Sequence, residues 1–156
     1  MKSTETRSEF IDLLRETLMQ ALKSGAREIV LADVDFRDWP LNEPAVVDAL
    51  TLWTRPHHRL HLLALRFDDV AQRHPRFVQW RRTYDHLVQA ATPQNLPESD
   101  FPAMLLTPQA VVEVLDRSSW RARASTEPLD LERCRHQLDA LLQRSVPAFS
   151  ATTLGL

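Results

Sequence analysis

Glycine is almost absent: Gly25 and Gly155 are the only two in 156 residues. Loops that cradle phosphate need glycine where the backbone must approach an anion closely, so neither a Walker loop nor a dinucleotide fingerprint can be present. Cysteine is nearly missing as well. Cys134 stands alone, which excludes an internal disulfide and every multi-cysteine zinc pattern. Only Lys2 and Lys23 are lysines, leaving seventeen arginines among the nineteen basic residues and arguing against lysine-dependent chemistry. Arginine richness suits bidentate binding of carboxylates or phosphates, although a GC-rich genome gives the same bias. Long apolar runs are missing too. Ile29 to Ala32 and Leu62 to Leu65 fall far short of the roughly 20 residues a membrane span needs. The start, Met1 to Glu9, lacks the basic and apolar regions of a signal peptide, so a cytoplasmic location is expected.

What is present is ordinary for a globular chain, with 44% hydrophobic and 26% charged residues and a net charge of −2. Thr6 and Glu9 have capping-box spacing, and Phe10, Leu13, Leu14, Leu18, Ala21 and Leu22 recur at helical spacing up to Gly25. Glu28 to Asp33 is short, apolar and β-branched, the pattern of a buried strand. Pro44 suits the first turn of a second helix with Val46, Val47, Leu50 and Trp53 facing inward, and Arg59 to Leu65 reads as a second strand. Strand, helix, strand within about 40 residues is a βαβ unit, so these two strands are expected to be parallel. Short helices are expected over 68–73 and 75–84, then an apolar stretch near 87–91 and a proline-rich loop over 92–102. Three short strands over 103–107, 111–116 and 120–124 would form an antiparallel extension. A last helix over 129–144 should face Leu131, Leu138, Leu141 and Leu142 inward, and the tail from Pro147 should dock through Phe149, Leu154 and Leu156. The expected fold is α/β in one domain, a mixed sheet flanked by helices.

Three clusters carry candidate chemistry. Asp33, Asp35 and Asp68 follow the two strands, where ligands of parallel sheets bind, and could hold a magnesium ion; capping and solvated strand ends are the commoner use of such aspartates. His57, His58 and His61 are close in sequence, but Arg59 and His61 point one way while His57 and His58 sit in the preceding turn, so a zinc site is not formed by alternation. Residues 51–90 carry seven arginines against three aspartates, a local balance of +4 between flanks of −4 and −2. Phe77, Arg81 and Tyr84 share a helix face beside Trp80, so Arg76, Arg81, Arg82, His57 and His58 are candidates for contacting an anion. The competing reading makes these aromatics core and the arginines a solvated flank. Nucleic acid is not expected as a partner, since the net charge gives no long-range attraction. Cys134, between charged neighbours on a helix, reads as an ordinary helix cysteine.

The first helix, "Ala26-Arg27-Glu28-Ile29-Val30-Leu31", the loop, "Val46-Val47-Asp48-Ala49-Leu50" and the second strand resemble the start of a phospholipase-D-like domain. The stretch from His74 to Arg82 and the ending from Pro147 to Leu156 are similar to a proteobacterial family of the same layout. Phospholipase-D enzymes use His-x-Lys-x-x-x-x-Asp. Starting from His86, the lysine position is Val88 and the aspartate position Pro93, so no catalytic residue carries over. The resemblance implies a catalytically degenerate half-domain with no cofactor. The function expected first is a non-catalytic binding or interaction module, taking an anionic or phosphate-containing ligand. The alternative is a metal-dependent phosphoesterase built on Asp33, Asp35 and Asp68, and a third possibility is joining a protein partner or a second copy through the tail and the arginine face.

Overall fold

The computed structural model describes residues 2–150. A two-residue strand, β1 (Lys2–Ser3), precedes α1 (Arg7–Lys23). The capping box forms as the sequence requires: the Thr6 hydroxyl accepts the Glu9 amide at 3.2 Å, and the Glu9 carboxylate accepts the Thr6 amide at 3.1 Å. All six expected core residues of this helix are buried. The helix closes at Gly25, whose φ of 74° lets the Ala26 amide turn back onto the Ala21 carbonyl at 3.0 Å.

Then come β2 (Glu28–Asp33), α2 (Pro44–Trp53), β3 (Arg59–Ala64), α3 (Asp68–Arg73), α4 (Pro75–Thr83) and β4 (Val88–Pro93). The chain continues through β5 (Met104–Leu106), β6 (Val111–Asp116), β7 (Arg121–Ser125), α5 (Pro128–Gln143) and β8 (Ser145–Pro147). These strands make one eight-stranded sheet in the order β1-β7-β6-β5-β2-β3-β4-β8. β2, β3 and β4 run parallel, and all other pairings are antiparallel. The fold is therefore α/β with a mixed sheet, as the βαβ spacing predicts.

Ile29, Val30, Leu31 and Ala32 are buried without exception because β2 is covered on both faces. Ile29 and Leu31 pack under α1, α2 and α4, while Val30 and Ala32 pack with Cys134, Leu138 and Leu141 of α5. Four details differ from the sequence expectation. The stretch near 87–91 is a third parallel strand; Trp120 belongs to the turn and not to β7; Leu131 and Leu142 are only half-buried while Cys134 is fully buried; and β1 and β8 add a short strand at each edge. Phe149 does dock, stacking on Phe67 with ring centroids 4.9 Å apart, whereas Leu154 and Leu156 lie outside the described residues. Among the described residues no helix is long and apolar enough to cross a membrane.

Candidate functional site

Parallel strands send the segments that follow them to one end of the sheet and the segments that precede them to the other. At the carboxyl end, Asp33 is buried, with one oxygen accepting the Phe36 amide at 2.9 Å and the other paired with Arg117 from the β6–β7 turn. Burial pushes the Asp33 carboxyl above its ordinary range against the opposing pull of Arg117. Phe36 holds a left-handed φ of 58° although it carries a bulky side chain, and its carbonyl accepts a hydrogen bond from His74 Nε2 at 2.8 Å. Since a carbonyl only accepts, His74 carries its proton on Nε2, and Nδ1 is left buried without a partner. Burial correspondingly lowers the His74 pKa.

Asp35, Arg37 and Trp39 join Asp33 and Arg117 around a cleft of only about 60 Å³. Asp68 instead opens α3, and Arg66 is paired with Glu98 at 2.8 Å. Among the described residues, no three His, Cys, Asp or Glu side chains are grouped so as to hold a metal ion. Asp33, Arg117, Arg66 and His74 are thus committed to partners within the chain, leaving little room for a substrate in this cleft.

The candidate anion-contacting residues are dispersed. Phe77 and Trp80 are core, and Arg81 is itself buried beside them, donating to Asp85 and to the Phe149 carbonyl at 3.0 Å with its guanidinium 5.7 Å from the Phe149 ring. Arg81 is spent on holding the C-terminal segment. His58 is also buried: its Nδ1 donates to the Trp53 carbonyl at 2.6 Å and its ring stacks on Trp53. Arg76 contacts Asn42 through its backbone amide at 2.9 Å and its guanidinium at 3.3 Å, near the carboxyl end. His57 and Arg82 are exposed near the opposite end, so the five do not form one site.

That opposite end carries the more coherent arrangement. The connections entering β2, β3 and β4 are adjacent in space because these strands are neighbours, and they bring Lys23, Arg27, Arg55, Arg59 and Arg82 together along one edge. The carboxylates in the same connections are Glu28 and Asp85. Both are neutralised from elsewhere, Glu28 by Arg135 at 3.0 Å and Asp85 by Arg81. Arg55 and Arg59 are steadied by carbonyls of their own turn, each through a single Nη atom, as in Arg59 to Pro56 and His58 at 2.8 Å. By contrast, the connections leaving β2, β3 and β4 hold Asp35, Asp38, Asp68, Asp69, Glu98 and Asp100 against only Arg37, Arg66 and Arg73. The three parallel strands are thus flanked by net positive charge where they begin and by net negative charge where they end.

Beside the positive edge, a groove of about 640 Å³ runs between the C-terminal half of α1, the β5–β6 turn and the exit of β7. Its walls combine Leu13, Ala21 and Ala124 with the side chains of Gln20, Gln109 and Thr126. The local excess of arginine in 51–90 did signal the positive edge, but chain alternation sends Arg66 and Arg73 to the other end and adds Lys23 and Arg27, which lie outside that window. The groove has no sequence signal, since its walls come from distant segments.

No family model matches the chain, and no curated protein matches it. Eight chains of solved structures do, among them the following two. TrmBL2, an archaeal chromatin protein whose structure is described as showing a novel mode of DNA binding, superposes with a TM-score of 0.63 at 11% identity, over 94% of this chain and 53% of that one. This chain therefore spans about half the length of that protein. A phospholipase D family member, Nuc from Salmonella typhimurium, superposes with a TM-score of 0.56 at 10% identity, covering 87% of this chain and 91% of that one. At such identities the likeness is one of fold, and it agrees with the phospholipase-D-like layout read from the sequence.

Proposed function

We propose that this chain is a non-catalytic binding module on a phospholipase-D-like fold, receiving a phosphate-bearing ligand along the amino-terminal edge of its parallel strands. The supporting observation is the convergence of Lys23, Arg27, Arg55, Arg59 and Arg82 on that edge while Glu28 and Asp85 are already paired. Guanidinium groups suit phosphate because their fork matches its oxygens, and a basic strip attracts a polyanion even on a chain of net charge −2. The sequence supplies no His-x-Lys-x-x-x-x-Asp string, since no lysine follows Lys23. The likeness to a DNA-binding chromatin protein makes a single-stranded oligonucleotide a sensible first ligand to try.

The test is anisotropy of a labelled single-stranded oligonucleotide at low salt, repeated at rising salt. Binding should weaken steeply with salt, as release of counterions requires. It should fall at least tenfold in Arg27→Glu/Arg55→Glu and stay unchanged in Arg37→Glu at the opposite end. Absence of binding at low salt, or equal binding by the double variant, overturns the proposal.

A further inference from the structure

The groove beside α1 has a charge pattern of its own. Arg27, at the entrance to β2, takes no side-chain partner among the described residues, and neither does the carboxylate of Glu127, at the exit of β7; both line the groove. The other two charges on the walls, Lys2 and Glu16, cancel each other in an ion pair at 2.9 Å. One unpaired cation and one unpaired anion therefore remain at opposite sides of a largely apolar trough. β2 and β7 are separated by β5 and β6, three strand spacings, which sets the two sides about 14 Å apart.

A ligand complementary to this trough carries a negative group at one tip and a positive group at the other. Between them it has an apolar body with polar links for Thr17, Gln20, Gln109 and Thr126. A phosphate or a simple fatty acid satisfies one tip only. An extended peptide with free termini satisfies both, because four residues at about 3.4 Å each span the separation, and its amides meet the neutral side chains in the walls. The volume of about 640 Å³ lies within the range of small-ligand clefts.

We infer that the groove is a binding site for a short linear peptide of about four residues, with its carboxylate at Arg27 and its ammonium group at Glu127. Capture of a peptide's terminal carboxylate or amine is a recognised mode of binding, and engaging both would discriminate free peptides from internal segments of proteins. This site stands apart from the phosphate reading, although Arg27 serves both, and the variants separate them. Glu127→Gln touches the groove alone, and Arg55→Glu touches the basic edge alone.

Titration calorimetry with tetraalanine bearing free termini tests the site, alongside N-acetyl-tetraalanine and tetraalanine amide. Free tetraalanine should bind, and each capped form should bind at least fivefold more weakly. In Glu127→Gln the free peptide should bind as weakly as the acetylated one, with oligonucleotide binding unaltered. In Arg27→Gln it should bind as weakly as the amide, and Arg55→Glu should leave peptide binding intact. No heat from tetraalanine at millimolar concentration, or equal affinity for free and capped peptides, overturns the inference.

Discussion

His74 donates a hydrogen bond through Nε2 to the carbonyl of Phe36, 38 residues earlier in the chain, and so fastens the entrance of α4 to the left-handed turn that follows β2. Burial holds this imidazole neutral, against the pull of the Phe36 carbonyl toward the charged form. In the unfolded chain the same histidine protonates below pH about 6.5. The unfolded state then binds more protons than the folded one, so stability falls as pH drops from about 6.5 toward the lowered folded value, and His61, also lowered by burial, adds in the same direction. Urea titrations at pH 7.5 and 5.5 should show this loss. His74→Phe should reduce it while costing about 1–3 kcal/mol at pH 7.5, because the Phe36 carbonyl loses its donor.

Asp33 titrates with the opposite sign. Its folded pKa is raised, so its contribution is fully present below the ordinary carboxylate pKa and is lost as pH rises through the folded value. Asp33→Asn keeps an oxygen for the Phe36 amide and removes the buried charge, leaving half-exposed Arg117 to be solvated. It should shift the neutral-pH unfolding midpoint little. Asp33→Ala leaves the Phe36 amide without its acceptor and should cost about 1–3 kcal/mol. Denaturant midpoints of the two variants, compared at pH 7.5, check the contrast.

Arg81→Ala tests whether this guanidinium holds the C-terminal segment. Removing it takes the donor from the Phe149 carbonyl and the cation from above the Phe149 ring. Hydrogen exchange should accelerate at the Ala148 amide, which pairs with the Ala90 carbonyl, while amides of β2 stay protected. Equal acceleration throughout the sheet would mean that Arg81 supports the whole core instead.

Cys134 is fully buried under the sheet, and burial pushes its thiol pKa up to about 11. Only the thiolate reacts, so iodoacetamide at pH 8 should leave the native protein unlabelled and label it once in urea. Mass spectrometry of the intact chain reads the result.

The sequence was most legible where a local rule and burial agreed. Thr6 with Glu9, Pro44 at a helix start and the run from Ile29 to Ala32 each fix an element by themselves, and the bounds of β2 and α3 match the reading. The edge strands were illegible because two or three residues hold no period, and β4 was hidden because Leu87 to Ala91 fits a helix segment as well as a strand. The candidate site was harder. Arg81 sits among Phe77, Trp80 and Tyr84, whose spacing favours core aromatics with solvated arginines over an anion contact; its burial and its pairing with Asp85 and Phe149 are visible only in the fold. The split of the arginines between the two ends of the sheet depends on which of them precede a parallel strand, a property of topology that composition does not hold.

The outermost strands, β1 with two residues and β8 closed by Pro147, offer an incoming strand almost no ladder to extend. Among the described residues, edge-to-edge polymerisation is thereby hindered at both margins without a covering helix. In concentrated samples heated slowly, turbidity should follow the loss of native structure and not precede it.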